Sequence, residues 1–494
     1  MRRILAVTVL LWTAYASAQT TTAVLVGRVT SADTPLAGAL VTITSPALQG
    51  ARTAETSMHG TYTFPAVPPG TYRVTFAMSG LQTVVKSAEL QLAETTRVDA
   101  DLQAILTEEI TVTPAPRAGL ETQQISSNVA QEFVNILPIG RAITDIARIA
   151  PGVHDSGPGR RLTIHGAQST DNLWLVNGVV ITEARRNQPQ NLFIEDAIQE
   201  TTVLTAGVSA EYGRFLGGVI NVLTKSGGNE PSGSIRDSIS SDAWTARLPN
   251  DPEPLDKLNH DFEGTFGGRI LRDRLWFFGA GRYAERRVRR QTTATLIPYV
   301  TGTDERRWEA KLTANLGASQ TLIGSYLDVD AITLNAAATP PGDTRNLYDQ
   351  LAPHSLLAAH YSAIFSTATV VEAHYTQKRY YLTAGASDTS LTGGTMIQDP
   401  YVNGVSLWAP PFCNVCGDNY RNNRDAMVKA TLFLSRPRWG SHSIVAGVND
   451  FHELSRDESK QSGSDFIVTT PTVLGDDGVL YPQMIPGESS IEWY

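Results

Sequence analysis

Cys413 and Cys416 stand in PPFCNVCGDNY and are the only thiols of the chain. A structural zinc site takes about four nitrogen or sulfur ligands, and His442 and His452 lie far along the sequence. A redox-active pair wants a helix behind it, which Gly417 and the flanking turn-formers disfavour. The spacing therefore favours a disulfide bracing a Pro- and Asn-rich loop, provided that the compartment is oxidising. The sequence holds no GxSxG, no phosphate-binding loop and no His/Cys ligand cluster, and His452-Glu453 lacks the second His of an HExxH. Neither an enzymatic activity nor a cofactor is expected.

Another kind of chemistry needs only the backbone. EEITVT, from Glu108 and Glu109 through Ile110, Thr111, Val112 and Thr113, is followed by PAPRAG. The β-branched run favours extended backbone, while Pro114 and Pro116 forbid its use as an inner strand. It reads as a strand without a sheet, and free donors and acceptors in such a segment can add to a partner's sheet edge. A plain linker remains the alternative.

The elements around these residues set the compartment. MRRILAVTVLLWTAYASAQ has two arginines, an apolar core and a small-residue Ala-Ser-Ala end, the layout of a secretory signal over residues 1–18. The mature chain is then expected outside the cytoplasm. At 494 residues several domains are expected. A net charge of -9 argues against general nucleic-acid binding. No long apolar helix follows the N-terminus, which leaves a β-barrel open.

Residues 20–105 hold short alternating runs at roughly 10-residue intervals, as in a small antiparallel sandwich. Residues 106–120 form the EEITVT segment and linker. Residues 121–229 mix α and β: NVAQEFVNIL and ITDIARIA read as short helices, and LWLVNGVVIT as a hairpin turning on Asn177-Gly178. From 230 to 494 the pattern becomes strands of about ten residues with one apolar and one polar face, as a lipid-facing, water-lined wall requires. In RWEAKLTANL, Trp308, Ala310, Leu312, Ala314 and Leu316 oppose Glu309, Lys311, Thr313 and Asn315. Tight LRD, GASQ and STAT turns alternate with long polar segments, 328–353 and 382–423, expected as outer loops. ERRVRR (285–290) reads as a solvated loop, and Trp276, Phe277, Phe278 and Trp308 as wall anchors. A soluble sandwich also alternates and stays open on the strands alone.

The order of these parts resembles the TonB-dependent outer-membrane receptors of the Oar-like type, over the whole chain. GTYTF and PGTYRV resemble a carboxypeptidase regulatory-like, transthyretin-like domain, with Ser57 where an Asp is usual. IHGAQSTDNLWLVNGV and SAEYGRFLGGVINVLTKSG resemble the plug, with His165 in place of a common Arg and Asn177 in place of a common Asp. GGRILRDRLWFFG resembles the first barrel hairpin. The resemblance implies a mainly β chain: sandwich, α+β plug, and the first part of an antiparallel transmembrane barrel. EEITVT then resembles the TonB box, with TonB as partner. Gly166, Asp171, Asn172, Asn177, Gly178, Glu211, Tyr212, Gly213, Gly217, Gly218 and Asn221 form the plug motif, expected to serve turns and internal hydrogen bonds.

The implied function is import of a bulky solute (siderophore, oligosaccharide or peptide) across the outer membrane, in contact with its lipid and with the sandwich in the periplasm. A surface carbohydrate-binding or adhesion protein, using the sandwich and outer loops, is the alternative. Nine strands are legible between 231 and 452. A 22-stranded barrel at roughly 25 residues per strand needs about 550 residues, so the sequence reads as part of a longer receptor.

Overall fold

The computed structural model describes residues 22–103 (bar 49 and 93), 112–114, 125–157, 161–208 (bar 184 and 186), 212–317 (bar 248 and 250), 319–337, 341–366, 369–401 (bar 392), 406–407, 415–436, 440–460 and 462–493. The signal-like N-terminus, Glu108 to Thr111, Glu211 and Cys413 lie outside the described residues.

The first body is a sandwich of β1 (Ala23–Ser31), β2 (Thr34–Pro35), β3 (Leu40–Ser45), β4 (Gly50–Glu55), β5 (Thr61–Val67), β6 (Gly70–Ala77), β7 (Val84–Leu90), β8 (Thr95–Arg97) and β9 (Ala100–Asp101). One sheet gathers β2, β5, β8 and β9 about β1; the other runs β7-β6-β3-β4. Period-2 alternation buries Leu25, Val41, Ile43, Phe64, Tyr72, Val74 and Phe76 between them. Tyr62 meets Phe64 and Phe76 edge-on, and its hydroxyl donates to the Val98 carbonyl at 2.6 Å. At Ser57, where an Asp is usual, the Oγ accepts from the His59 and Thr61 amides.

EEITVT is not wholly without a sheet. Its end forms β10 (Val112–Pro114), which pairs in parallel with β7, Val112 opposite Val85 and Pro114 opposite Ser87. It takes the edge position that its proline dictates.

The second body has a central sheet ordered β11-β16-β17-β14-β15, from β11 (Ile125–Ala130), β14 (Leu173–Val176), β15 (Val179–Val180), β16 (Ile198–Ala206) and β17 (Val219–Thr224). A separate pair, β12 (Val153–Gly157) with β13 (Arg161–Ile164), lies beside it. Asn177 and Gly178 take φ of 50° and 75°, the two positive values of the Asn-Gly hairpin. The helix expected over NVAQEFVNIL shrinks to Gln131–Val134. Asn128 and Val129 are claimed instead by β11, opposite Thr202 and Thr201 of β16. Tertiary pairing there overrides local propensity.

The third body is a wall of nine strands paired in series: β18 (Ser232–Ser241), β19 (Leu258–Leu271), β20 (Leu275–Gln291), β21 (Pro298–Gly317), β22 (Gln320–Ala336), β24 (His354–Ser366), β25 (Thr369–Tyr380), β29 (Val415–Arg436) and β30 (Gly440–Lys460). Short β23 (Tyr348–Leu351) and β26 (Thr383–Ala386) extend it, while β27 (Met396–Gln398) and β28 (Ser406–Leu407) belong to a small outlying sheet. Two loop expectations are corrected here. ERRVRR lies inside β20, where Arg287 pairs with Asp304 of β21 at 2.7 Å and Arg286 with Asp261 of β19. Of the segments taken as outer loops, 328–353 begins as strand, with β22 reaching Ala336, and 382–423 ends as strand, with β29 starting at Val415. Cross-strand ion pairs support this extension of the hairpins.

The wall is inverted relative to a soluble sheet. On β21, Trp308, Leu312 and Leu316 are 48%, 52% and 59% exposed, while Glu309, Lys311 and Thr313 are 4%, 5% and 2% exposed. β25 and β29 repeat this, with Tyr375 and Val428 exposed and Thr376, Lys378 and Lys429 buried. Trp276 and Phe278, expected as anchors, face inward: Trp276 Nε1 donates to Asn229 at 2.9 Å, and Phe278 packs on Ile194 and Ala197.

Candidate functional site

The polar face of the wall closes on the second body, and the contact is built from charge. Chain turns deliver Arg141 and the Glu195-Asp196 pair from the second body, and alternation delivers Glu263, Arg282, Glu305 and Arg307 from the wall. Arg141 forks between Asp196 and Glu263, 2.5 Å to each. Arg236 also reaches Asp196, at 3.0 Å. Arg282 lies 2.8 Å from Glu195, 3.3 Å from Glu305, 3.3 Å from Asp261 and 3.9 Å from Glu263. Arg307 pairs with Glu305 at 2.8 Å and donates to the Phe193 carbonyl at 2.7 Å. These groups surround a cavity of about 580 Å³ lined by Arg141, Glu195, Asp261, Glu263, Arg282 and Arg286.

Three further side chains of the wall complete the grip. Lys311 donates to the carbonyls of Thr224 and Lys225 at 3.2 and 2.9 Å. On the other flank Arg421 pairs with Glu183 at 2.7 Å, and Lys378 donates to the Thr182 carbonyl at 2.8 Å. The charges are balanced and mostly buried, so each group is costly to strip singly. Arg282 has four carboxylates within 4 Å, which lets a displaced partner be replaced without leaving a bare charge. The arrangement can hold a body in place and can exchange pairs as that body moves.

The residues singled out in the sequence sit behind this contact and brace it. Asn172 donates to the Leu162 carbonyl at 2.8 Å and accepts from the Gly218 amide at 3.1 Å. Asn177 accepts from the Thr224 amide at 2.9 Å, and Asn221 accepts from the Gly178 amide at 3.2 Å. The Asp171 carboxylate accepts from the Gln168 amide at 3.1 Å. A Cβ on Gly217 would lie 2.4 Å from Asn172 Oδ1; one on Gly218 would lie 2.6 Å from Ile164 Cδ1 and 2.8 Å from the Leu204 carbonyl oxygen. Gly166 takes a φ of 79° and Tyr212 is buried; Gly213 is half-buried beside it. None of these touches the ion network directly. Of the cysteine pair, only the backbone of Cys416 is described, in β29.

Sequence reasoning missed Arg141, Glu195 and Asp196. The available signal was an arginine straight after Pro138-Ile139-Gly140, in a region otherwise poor in basic residues, and an acidic pair opening the strand that follows. What they pair with lies 122 residues away for Arg141 and Glu263.

The first two bodies each match a described family. Residues 24–103 match the carboxypeptidase regulatory-like domain, and residues 119–219 match the TonB-dependent receptor plug domain. The chain is 31% identical over 313 residues to the TonB-dependent transporter Oar of Myxococcus xanthus, a match covering 58% of this chain and 29% of that protein. In structure it resembles the siderophore receptor PirA of Acinetobacter baumannii (TM-score 0.50, 16% identity, 66% of this chain and 47% of that one). It also resembles the outer membrane transporter YddB of Escherichia coli (TM-score 0.51, 14% identity, 72% and 51%). At these identities the two structures show the fold, a plug with a receptor-type barrel wall. The chain spans under a third of the curated relative and about half of each structure. All three of these proteins are named as transporters or receptors.

Proposed function

We propose that this TonB-dependent receptor chain, with its regulatory-like sandwich ahead of its plug, serves to import a bulky solute through the outer membrane. The observation that carries the reading is the inverted wall: apolar side chains outward, charged side chains buried against the plug. Such a surface needs hydrocarbon outside, and a lumen wide enough for a bulky solute leaks unless it is filled. The ion network gives the plug a hold that can be re-paired stepwise, so that ligand on the outer side and force from the periplasm can move it without exposing lone charges. EEITVT is the segment through which TonB, drawing on the inner-membrane proton gradient, takes hold by strand addition. The sandwich lies in the periplasm with it. Siderophore, oligosaccharide and peptide cargoes all fit this reading.

The glycan-binding alternative has no observation in its favour among the described residues. Tyr62, Phe64, Tyr72 and Phe76, the aromatics a sugar platform would use, are all in the sandwich core.

The test is a titration of the full-length receptor in detergent with the periplasmic domain of TonB. Binding is expected for the intact chain and its loss on deletion of Glu108 to Thr113. Equal binding by both would remove this segment from the mechanism.

A further inference from the structure

The last two residues of EEITVT, Val112 and Thr113, are already in a strand that is paired inside its own chain. β10 adds in parallel to β7 and so caps the open edge of the sheet β7-β6-β3-β4. In a parallel strand, alternate residues turn both N–H and C=O to one side, and Pro114 has no N–H at all. Whichever way the alternation falls, the outer edge of Val112–Pro114 keeps a single N–H donor. A second sheet could add only along that one remaining edge, whereas the freed segment can present either edge to a partner.

The docking edge is also tied to the plug. The turn that follows β7 carries Gln91, whose Oε1 accepts from Asn128 Nδ2 at 2.6 Å. Leu92 in the same turn gives its backbone amide to Glu200 of β16. One residue cluster therefore joins the edge that holds the segment to the strands β11 and β16 of the plug. Nearby, Gln199 donates to the Pro69 carbonyl at 3.3 Å.

We propose that the sandwich is a latch for the coupling segment: the β7 edge holds Val112–Pro114 in a form that TonB cannot pair with, and the segment must leave that edge before it is engaged. This rests on the reading of EEITVT as the segment TonB binds. The regulatory-like domain then acts as a competitor for its own chain's coupling strand. A segment docked nine-tenths of the time lowers the apparent affinity for TonB about tenfold, because affinity scales with the competent fraction.

The experiment uses the full-length receptor with Cys413→Ser and Cys416→Ser, carrying Lys86→Cys and Thr113→Cys at positions that face each other in the β7–β10 register. Oxidation is expected to form the cross-link in most molecules. The oxidised protein should bind the TonB periplasmic domain at least tenfold more weakly than the same protein after reduction. Failure to cross-link, or equal affinity in the two forms, overturns the latch. A synthetic peptide of residues 106–116, titrated with the same TonB domain, tests the underlying reading separately. If the peptide does not bind, EEITVT is not the coupling segment, whatever the cross-link shows; if it binds and the oxidised receptor binds as well as the reduced one, the latch alone is wrong.

Discussion

Arg141→Ala should loosen the plug in its wall by about 3 kcal/mol. Its guanidinium makes two charge-assisted bonds, to Asp196 and Glu263, whose side chains are 5% and 2% exposed. Removing one partner of a buried pair costs roughly 3–5 kcal/mol, because the remaining charge stays buried. Here the cost sits at the low end: Arg236 still reaches Asp196 at 3.0 Å, and Arg282 lies 3.9 Å from Glu263. About 3 kcal/mol is on the order of a hundredfold in the local opening equilibrium, at 1.4 kcal/mol per tenfold. Native-state hydrogen exchange of the β16 and β17 amides in the detergent-solubilised receptor reads that equilibrium directly. Protection should fall in the plug sheet and stay unchanged in the sandwich. A fall of less than threefold would mean that the ion network does not hold the plug, and the reasoning from its geometry would be refuted.

Other consequences are as specific. The Glu200 carboxyl is pushed up to about 7, first by burial and further by Glu89 and Glu94, against the Leu92 amide. Free glutamate titrates near 4.3, so the folded state binds this proton more tightly. The stabilisation is complete below that value and is lost as pH rises through about 7, by about 3–4 kcal/mol in all. Urea unfolding between pH 4 and 8 should show the decline, and Glu200→Gln should flatten it. Gly218→Ala forces a methyl against Ile164 and the Leu204 carbonyl, and should cost roughly 1–3 kcal/mol in the same assay. Leu312→Arg puts a charge on the outward face of β21 and should cost about 2–4 kcal/mol of barrel stability in lipid if it sits near the bilayer midplane. A neutral result in refolding titrations into vesicles would favour a water-facing wall.

Much of this architecture is legible in one sequence because it depends on short-range periodicity. The Asn177-Gly178 turn and the alternation of Trp308 to Leu316 need only neighbouring residues to be read, and the tight turns follow from local composition. What was not legible depends on partners distant in sequence. Glu309 and Lys311 look like the lining of a water-filled lumen until the plug is seen to cover them. Arg286 and Arg287 look like solvated loop until Asp261 and Asp304 are placed beside them on neighbouring strands. Asn128 and Val129 look helical until β16 offers a strand edge. Arg141 was invisible as a site for the same reason: nothing in its own vicinity names Glu263.

The claim that everything else serves is that plug movement is energised through residues 108–113. The direct measurement is uptake by cells making the full-length receptor, over a panel of labelled ferric siderophores, oligosaccharides and peptides, with and without Ile110 to Thr113. At least one cargo should accumulate in the intact strain, stop on collapse of the proton gradient, and fail to accumulate in the deletion strain while still binding its surface. Accumulation that survives the deletion would contradict the account.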